Sequence, residues 1–193
     1  MTNRETRVLK AEVRAVEAEG VKKLAGTAIV YERESDDIGF IEVIKRGAAT
    51  EALKRSDIRA LYGHNSDSLL PLGRMSAGTL RAKETEAGVE IEVDPPDTQF
   101  ARDLTHAIER GDIREMSFAF TVKDDEWGTR DGKHYREIRE FDELFDVSFV
   151  AFPAYPDTTA ALRKRDSVAL CNVDAEAEDI DIALLINRTG GWR

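Results

Sequence analysis

In the stretch R-E-M-S-F-A-F, residues 114–120, apolar side chains alternate with others: Met116, Phe118 and Phe120 share one face of an extended chain, and Glu115, Ser117 and Ala119 share the other. The period of two predicts a strand over 114–122 with a small hydroxyl at the centre of an apolar element. The same alternation recurs at Val89, Ile91 and Val93, set off by Glu90 and Glu92, and with Ala87-Gly88 as the turn, residues 78–94 read as a hairpin. Shorter runs rich in β-branched residues predict strands near 24–32, from Phe40, and in I-R-A-L-Y-G-H-N, which ends at His64 and Asn65. Gly47 separates the second of these from a short helix at roughly 48–55. After residue 122 a polar loop is expected over 124–134, with Gly128 and Asp131-Gly132, followed by strands near 134–140 and 144–151.

The clearest helix covers 97–110, where Phe100, Leu104 and Ile108 repeat at four-residue spacing, Asp97 is placed to cap the start and Gly111 to stop the end. Its apolar stripe is read as core packing rather than a binding groove. Residues 1–20 are highly charged with scattered Val and Ala, and are expected as a strand or a loosely attached arm. From about 164 the character changes again, with five acids and no base between Cys171 and Asn187. The expected limits are therefore an N-terminal arm over 1–20, a main domain over 21–163, and an acidic tail over 164–193, either weakly ordered or a docking or propeptide segment. About seven short strands and one strong helix predict a mainly-β α+β fold: a closed or nearly closed antiparallel β-barrel ringed by helices.

Composition narrows the class. A chain of 193 residues with 41% hydrophobic and 34% charged side chains suits one globular domain with a sizeable core. A formal net charge of −10 argues against non-specific binding to nucleic acid or to an anionic membrane. The single Cys171 excludes an internal disulfide and fits a reducing compartment. No apolar run approaches the roughly 20 residues of a membrane span, and the charged start lacks the apolar core of a secretion signal. An intracellular protein is expected.

Three residues carry candidate chemistry. Of the three histidines, His106 lies within the predicted helix and His134 beside a Gly-rich loop, whereas His64 ends a strand directly after Gly63, a rigid mount for a general base. Ser117 is either a filler or a nucleophile; no G-x-S-x-G elbow surrounds it. In D-E-L-F-D-V-S-F-V-A, Phe145, Val147, Phe149 and Ala151 are expected on one face, with Asp146 and Ser148 on the other. A carboxylate in so apolar a strand is costly unless it meets a donor, and an imidazole N–H would serve. The order His, Ser, acid differs from the familiar ones, but such triads are defined by geometry. There is no H-E-x-x-H, no C-x-x-C and no phosphate-binding glycine motif, so no metal or other cofactor is expected. Cys171 as a Cys–His nucleophile falls in the tail.

The segments G-T-A-I-V-Y, F-I-E-V-I-K-R-G-A-A-T-E-A-L, I-R-A-L-Y-G-H-N with L-P-L-G-R-M, the run from Asp97 to Phe120, and L-F-D-V-S-F-V-A-F-P-A-Y-P-D-T follow one another over residues 21–162. In this order they resemble the prohead (capsid maturation) serine proteases of tailed bacteriophages, the HK97-type family. The resemblance implies His64 as general base, Ser117 as nucleophile and Asp146, the acid before Val-Ser, as the third member. Glu143 is the alternative acid, because the family often has Glu at this place. By the period of two, residues 143 and 146 should point to opposite faces of a regular strand. Glu115 stands where the family has Gly before Met. The resemblance further implies an assemblin-like barrel and cleavage of scaffold, or of the scaffolding arm of the major capsid protein, inside an assembling prohead in the bacterial host cytoplasm. It implies self-processing too, and leaves a homodimer open; no nucleic acid or membrane partner is expected. The competing readings are a catalytically inert capsid-assembly component with the same barrel, and an intracellular esterase with the same triad.

Overall fold

The computed structural model describes residues 4–10, 13–18, 21–64 and 70–151. In chain order the elements are β1 (Glu5–Lys10), β2 (Val13–Ala18), β3 (Val21–Val30), β4 (Ile41–Ile44), α1 (Thr50–Arg55), β5 (Arg59–Tyr62), β6 (Gly73–Arg74), β7 (Leu80–Glu84), β8 (Gly88–Val93), α2 (Gln99–Arg110), β9 (Glu115–Arg130) and β10 (Lys133–Val150). Among the described residues the fold is mainly β with two helices, as the patterning predicts, but the strands number ten rather than about seven. Among the described residues they pair into two sheets, one of six strands in the order β1-β9-β10-β5-β6 with β4 beside β10, and one of four in the order β2-β3-β8-β7. The pairing of these residues does not close a ring, and it is not wholly antiparallel: β4 and β5 both run parallel to β10, at Tyr135–Ile138 and Asp146–Phe149. The long strand makes this possible. α1 carries the chain from one parallel partner to the next, and the Phe141 N–H, between the two pairings, donates to the Ala48 carbonyl at 2.9 Å.

The loop expected over 124–134 is instead the outer half of a long hairpin. Only Asp131 and Gly132 turn, at φ 52° and 77°, the pair of positive values that a two-residue hairpin turn of the right twist requires. The two strands expected at 134–140 and 144–151 are one strand, broken by shifts of register rather than by a loop. Most polar side chains of this outer half are exposed, and Arg136 is the exception. Arg136 is fully buried, its guanidinium bonding Glu5 at 2.7 Å, Glu42 at 2.9 Å and Asp125 at 2.8 Å.

The same ions explain the N-terminal stretch, which forms strands rather than a loose arm. β1 lies antiparallel along β9 and β2 along β3, so the limit expected at residue 20 falls inside the β2–β3 pair. Glu5 and Arg7 of β1 are buried, and Arg7 Nε reaches Glu42 Oε1 at 2.7 Å. Buried charges survive only when paired; here Arg7 pairs with Glu5 on its own strand at 2.7 Å, and Glu42 and Arg136 come from β4 and β10.

α2 buries Ala101, Leu104, Thr105 and Ile108 and ends at Gly111, φ 79°. Its cap is Thr98, not Asp97: the Thr98 hydroxyl accepts from the Ala101 N–H at 3.3 Å, while Asp97 pairs with Arg102. One core cluster joins Leu24, Ile29, Ile91 and Val93 of the four-stranded sheet to Met116, Phe118, Phe120, Phe141, Val147 and Phe149 of the larger one. A register shift between Leu144 and Asp146 puts Leu144 in this cluster. Phe145, expected there, lies instead against the Arg4 guanidinium, 4.9 Å from its ring centroid, and Ala151 is exposed beyond the strand end. No helix among the described residues is long and apolar enough to cross a membrane.

Candidate active site

The apolar face of β9 is locked into the core by Met116, Phe118 and Phe120, so Ser117 must project from the opposite face. Ser148 of β10 is its direct cross-strand partner, and Leu61 of β5 pairs with Ser148 on the other side. β5 ends at Tyr62, and the Gly63 N–H extends the pairing by one bond, to the Phe149 carbonyl at 3.0 Å. The chain then turns through Gly63 at φ 64° and His64 at φ 58°. A left-handed backbone is uncommon for a residue with a side chain, and here it aims the imidazole at β9 and β10.

His64 Nδ1 lies 2.6 Å from Asp146 Oδ1, and Nε2 lies 2.5 Å from Ser117 Oγ. An ionised carboxylate only accepts, so Nδ1 carries the proton and Nε2 is left as acceptor for the serine hydroxyl. Among the described residues the Ser117 hydroxyl has one further acceptor within reach, the Arg7 carbonyl on β1 at 2.8 Å. Ser117 and Ser148 are fully buried and Asp146 nearly so, whereas the His64 side chain is 21% exposed. Asp146 Oδ1 also accepts the Ser148 hydroxyl at 2.8 Å, and Oδ2 pairs with Arg4. Burial pushes the Asp146 carboxyl up, but the hydrogen bond and charge of His64, the Ser148 hydrogen bond and the Arg4 charge outweigh it and hold the group below the usual carboxylate range. Asp146 is thus an anion at neutral pH, aimed at the ring nitrogen away from the serine. This arrangement can take a proton from a hydroxyl and stabilise the imidazolium that results.

Of the sequence candidates, the structure brings His64, Ser117 and Asp146 together. Glu143 is exposed, three residues from Asp146 and beyond the register shift. His106 is exposed on α2 and pairs with Glu109 at 3.2 Å, and His134 is exposed near the hairpin turn. Asn65, Cys171 and the acidic tail lie outside the described residues. Among those described, no group of three or more His, Cys, Asp or Glu side chains is arranged to hold a metal ion. Sequence reasoning missed Arg4 and the Arg7 carbonyl, contributed from over a hundred residues away by a segment whose charge reads as solvent-facing. It placed Ser148 on the face of Asp146 without a role; a hydroxyl between Val147 and Phe149 was the available signal.

Comparison with curated proteins finds no match. A solved structure similar to this chain is that of the bacteriophage T4 capsid assembly protease, gp21, with 14% sequence identity, 77% of this chain and 99% of that chain covered, and a TM-score of 0.45. The sequence profile of the caudovirus prohead serine proteases matches residues 9–171, a span that takes in His64, Ser117 and Asp146, and the chain belongs to that family.

Proposed function

We propose that this chain is a serine endopeptidase of prohead maturation that cleaves scaffold, or the scaffolding arm of the major capsid protein, and its own chain, with Ser117 as nucleophile, His64 as general base and Asp146 as the orienting acid. The observation that carries the reading is the imidazole of His64 spanning Ser117 Oγ at 2.5 Å and Asp146 Oδ1 at 2.6 Å.

The proton transfers use that geometry. As Ser117 Oγ attacks a peptide carbonyl carbon, its proton passes to His64 Nε2, and the imidazolium is stabilised through Nδ1–H by the Asp146 carboxylate. The tetrahedral oxyanion calls for backbone N–H donors. Nε2–H then protonates the leaving amine, and the C–N bond breaks to leave an ester on Ser117. Water, deprotonated by the neutral imidazole, hydrolyses that ester and restores the hydroxyl.

The test is to incubate the purified protein with a major capsid protein from the same genome and to map the fragments by mass spectrometry, alongside Ser117→Ala. Discrete peptide fragments from the wild type and none from a folded Ser117→Ala support the reading. Identical fragments from both proteins overturn it, and turnover of ester substrates without peptide cleavage replaces it with the esterase reading.

A further inference from the structure

Ser148 sits between two apolar neighbours, Val147 and Phe149, at the centre of the most buried part of β10. A hydroxyl there is costly unless its hydrogen bonds are made. All of those found go to the candidate site. Its oxygen accepts the backbone N–H of His64 at 3.2 Å, its proton goes to Asp146 Oδ1 at 2.8 Å, and His64 Nδ1 is a further 3.2 Å neighbour. One side chain therefore touches the backbone that mounts the base and the carboxylate that orients it.

We infer that Ser148 is a positioning residue of this site, clamping the His64 backbone to the Asp146 carboxylate so that the imidazole meets Ser117 through an unprotonated Nε2. The inference rests on the reading of Ser117, His64 and Asp146 as the catalytic set.

Two physical arguments carry it. The first concerns the mount. His64 lies beyond the last residue of β5 in a left-handed conformation at φ 58°, which the surrounding structure must hold in place. The Gly63 N–H to Phe149 carbonyl bond fixes the residue before it, and the bond from the His64 N–H to Ser148 fixes His64 itself. The second concerns the acid. Asp146 Oδ1 has two donors, His64 Nδ1–H and the Ser148 hydroxyl, while Oδ2 is drawn by Arg4, a side chain half in solvent. Without the Ser148 hydroxyl the carboxylate can turn towards Arg4, the pull on Nδ1–H weakens, and the Nε2–H tautomer, useless as a base, gains population.

Ser148 is not an alternative nucleophile. It lies on the Nδ1 side of the ring, the side already taken by Asp146, while Ser117 holds the Nε2 side. A filler role is also a poor fit. Ser148 is the direct partner of Ser117 across the β9–β10 ladder, so its side chain shares the reacting face rather than the core face.

The test compares Ser148→Ala and Ser148→Thr with the wild type on one peptide substrate, with the His64 tautomer followed by 15N NMR and Ser117→Ala run in parallel. Ser148→Ala should lower kcat by roughly 10- to 100-fold, the size expected for a loosened catalytic group, with KM within twofold. Its His64 signals should move from the Nδ1–H tautomer towards a mixture, and Ser148→Thr, which keeps the hydroxyl, should recover most of kcat. A Ser148→Ala protein with kcat within twofold of wild type and an unchanged tautomer overturns the inference. A loss of kcat with an unchanged tautomer overturns it as well, because the effect is then one of packing. If Ser117→Ala itself retains cleavage, the underlying catalytic reading fails instead.

Discussion

Asp146 is paired across the β9–β10 ladder not with Ser117 but with Ala119, two residues further along β9. The nucleophile and the acid are thus diagonal neighbours, a relationship that sets side-chain positions about 7–8 Å apart. One imidazole with a hydrogen bond at each end fills that span, and His64 does so at 2.5 and 2.6 Å.

That diagonal decides between the two acids. Asp146→Asn keeps the shape but presents an amide to Nδ1, which favours the wrong tautomer, and kcat should fall by about a thousand- to ten-thousand-fold. Glu143 is exposed, and Glu143→Gln should cost less than about tenfold, as for a weakly coupled surface charge. Both variants are to be measured on one substrate. The reverse ranking moves the third member to Glu143, and two mild effects leave a Ser–His pair that needs no acid.

Ser117→Ala should remove about a million-fold in kcat, the loss seen when a triad nucleophile is deleted, without loss of fold. Among the described residues the removed hydroxyl bonds the His64 ring and the Arg7 carbonyl, and the core face of β9 is untouched. Thermal melts and a β-type circular dichroism spectrum matching wild type, with no cleavage, are the expected outcome. Wild-type cleavage by the folded variant removes Ser117 from the mechanism.

Acid sensitivity should trace to Glu5 as well as to Asp146. Burial pushes the Glu5 carboxyl up, but the hydrogen bonds and charges of Arg136 and Arg7 prevail and hold it below its ordinary value. A carboxyl whose pKa is lower folded than unfolded contributes stability that is fully present above the unfolded value, about 4.3 for Glu. That stability is lost as pH falls through the depressed folded value. Urea unfolding should therefore show stability declining below about pH 4. Glu5→Gln should destabilise the protein at pH 7 by about 3 kcal/mol, because it leaves a buried cation under-compensated, and should flatten the decline. An unchanged acid slope in Glu5→Gln would show that the β1 ions do not govern it.

These buried ions also mark the limit of what the sequence discloses. The strand around Ser117 and the face shared by Asp146 and Ser148 were legible, because a period of two is local and small polar groups stand out in apolar strands. β1 and the outer half of the β9–β10 hairpin were not. Their Glu and Arg side chains read as solvated, yet Arg7 meets Glu42 across 35 residues and Arg136 meets Glu5 across 131. Nothing in either neighbourhood announces such a partner. The place of Phe145 was misjudged for another reason: a single register shift hands its core position to Leu144, and alternation counted along the chain has no way to register it.

The mount of His64 can be tested apart from its ring. Gly63 and Gly132 both adopt left-handed backbone, at φ 64° and 77°, and an added Cβ at either would meet no atom within 4 Å. Alanine at each should therefore cost backbone strain alone, about 1 kcal/mol. The consequences for catalysis should differ. Gly132 turns the far end of the hairpin, where relaxation moves only exposed residues. Gly63 sits directly before His64, and strain relieved there rotates the peptide whose N–H is held by Ser148. Gly132→Ala should leave kcat within twofold. Gly63→Ala, with a similar loss in melting temperature, should lower kcat by about tenfold, as expected when a catalytic group is displaced by a fraction of an ångström. Equal kcat in the two variants would mean that the turn merely connects β5 to the next segment and that the imidazole finds its place by its own hydrogen bonds.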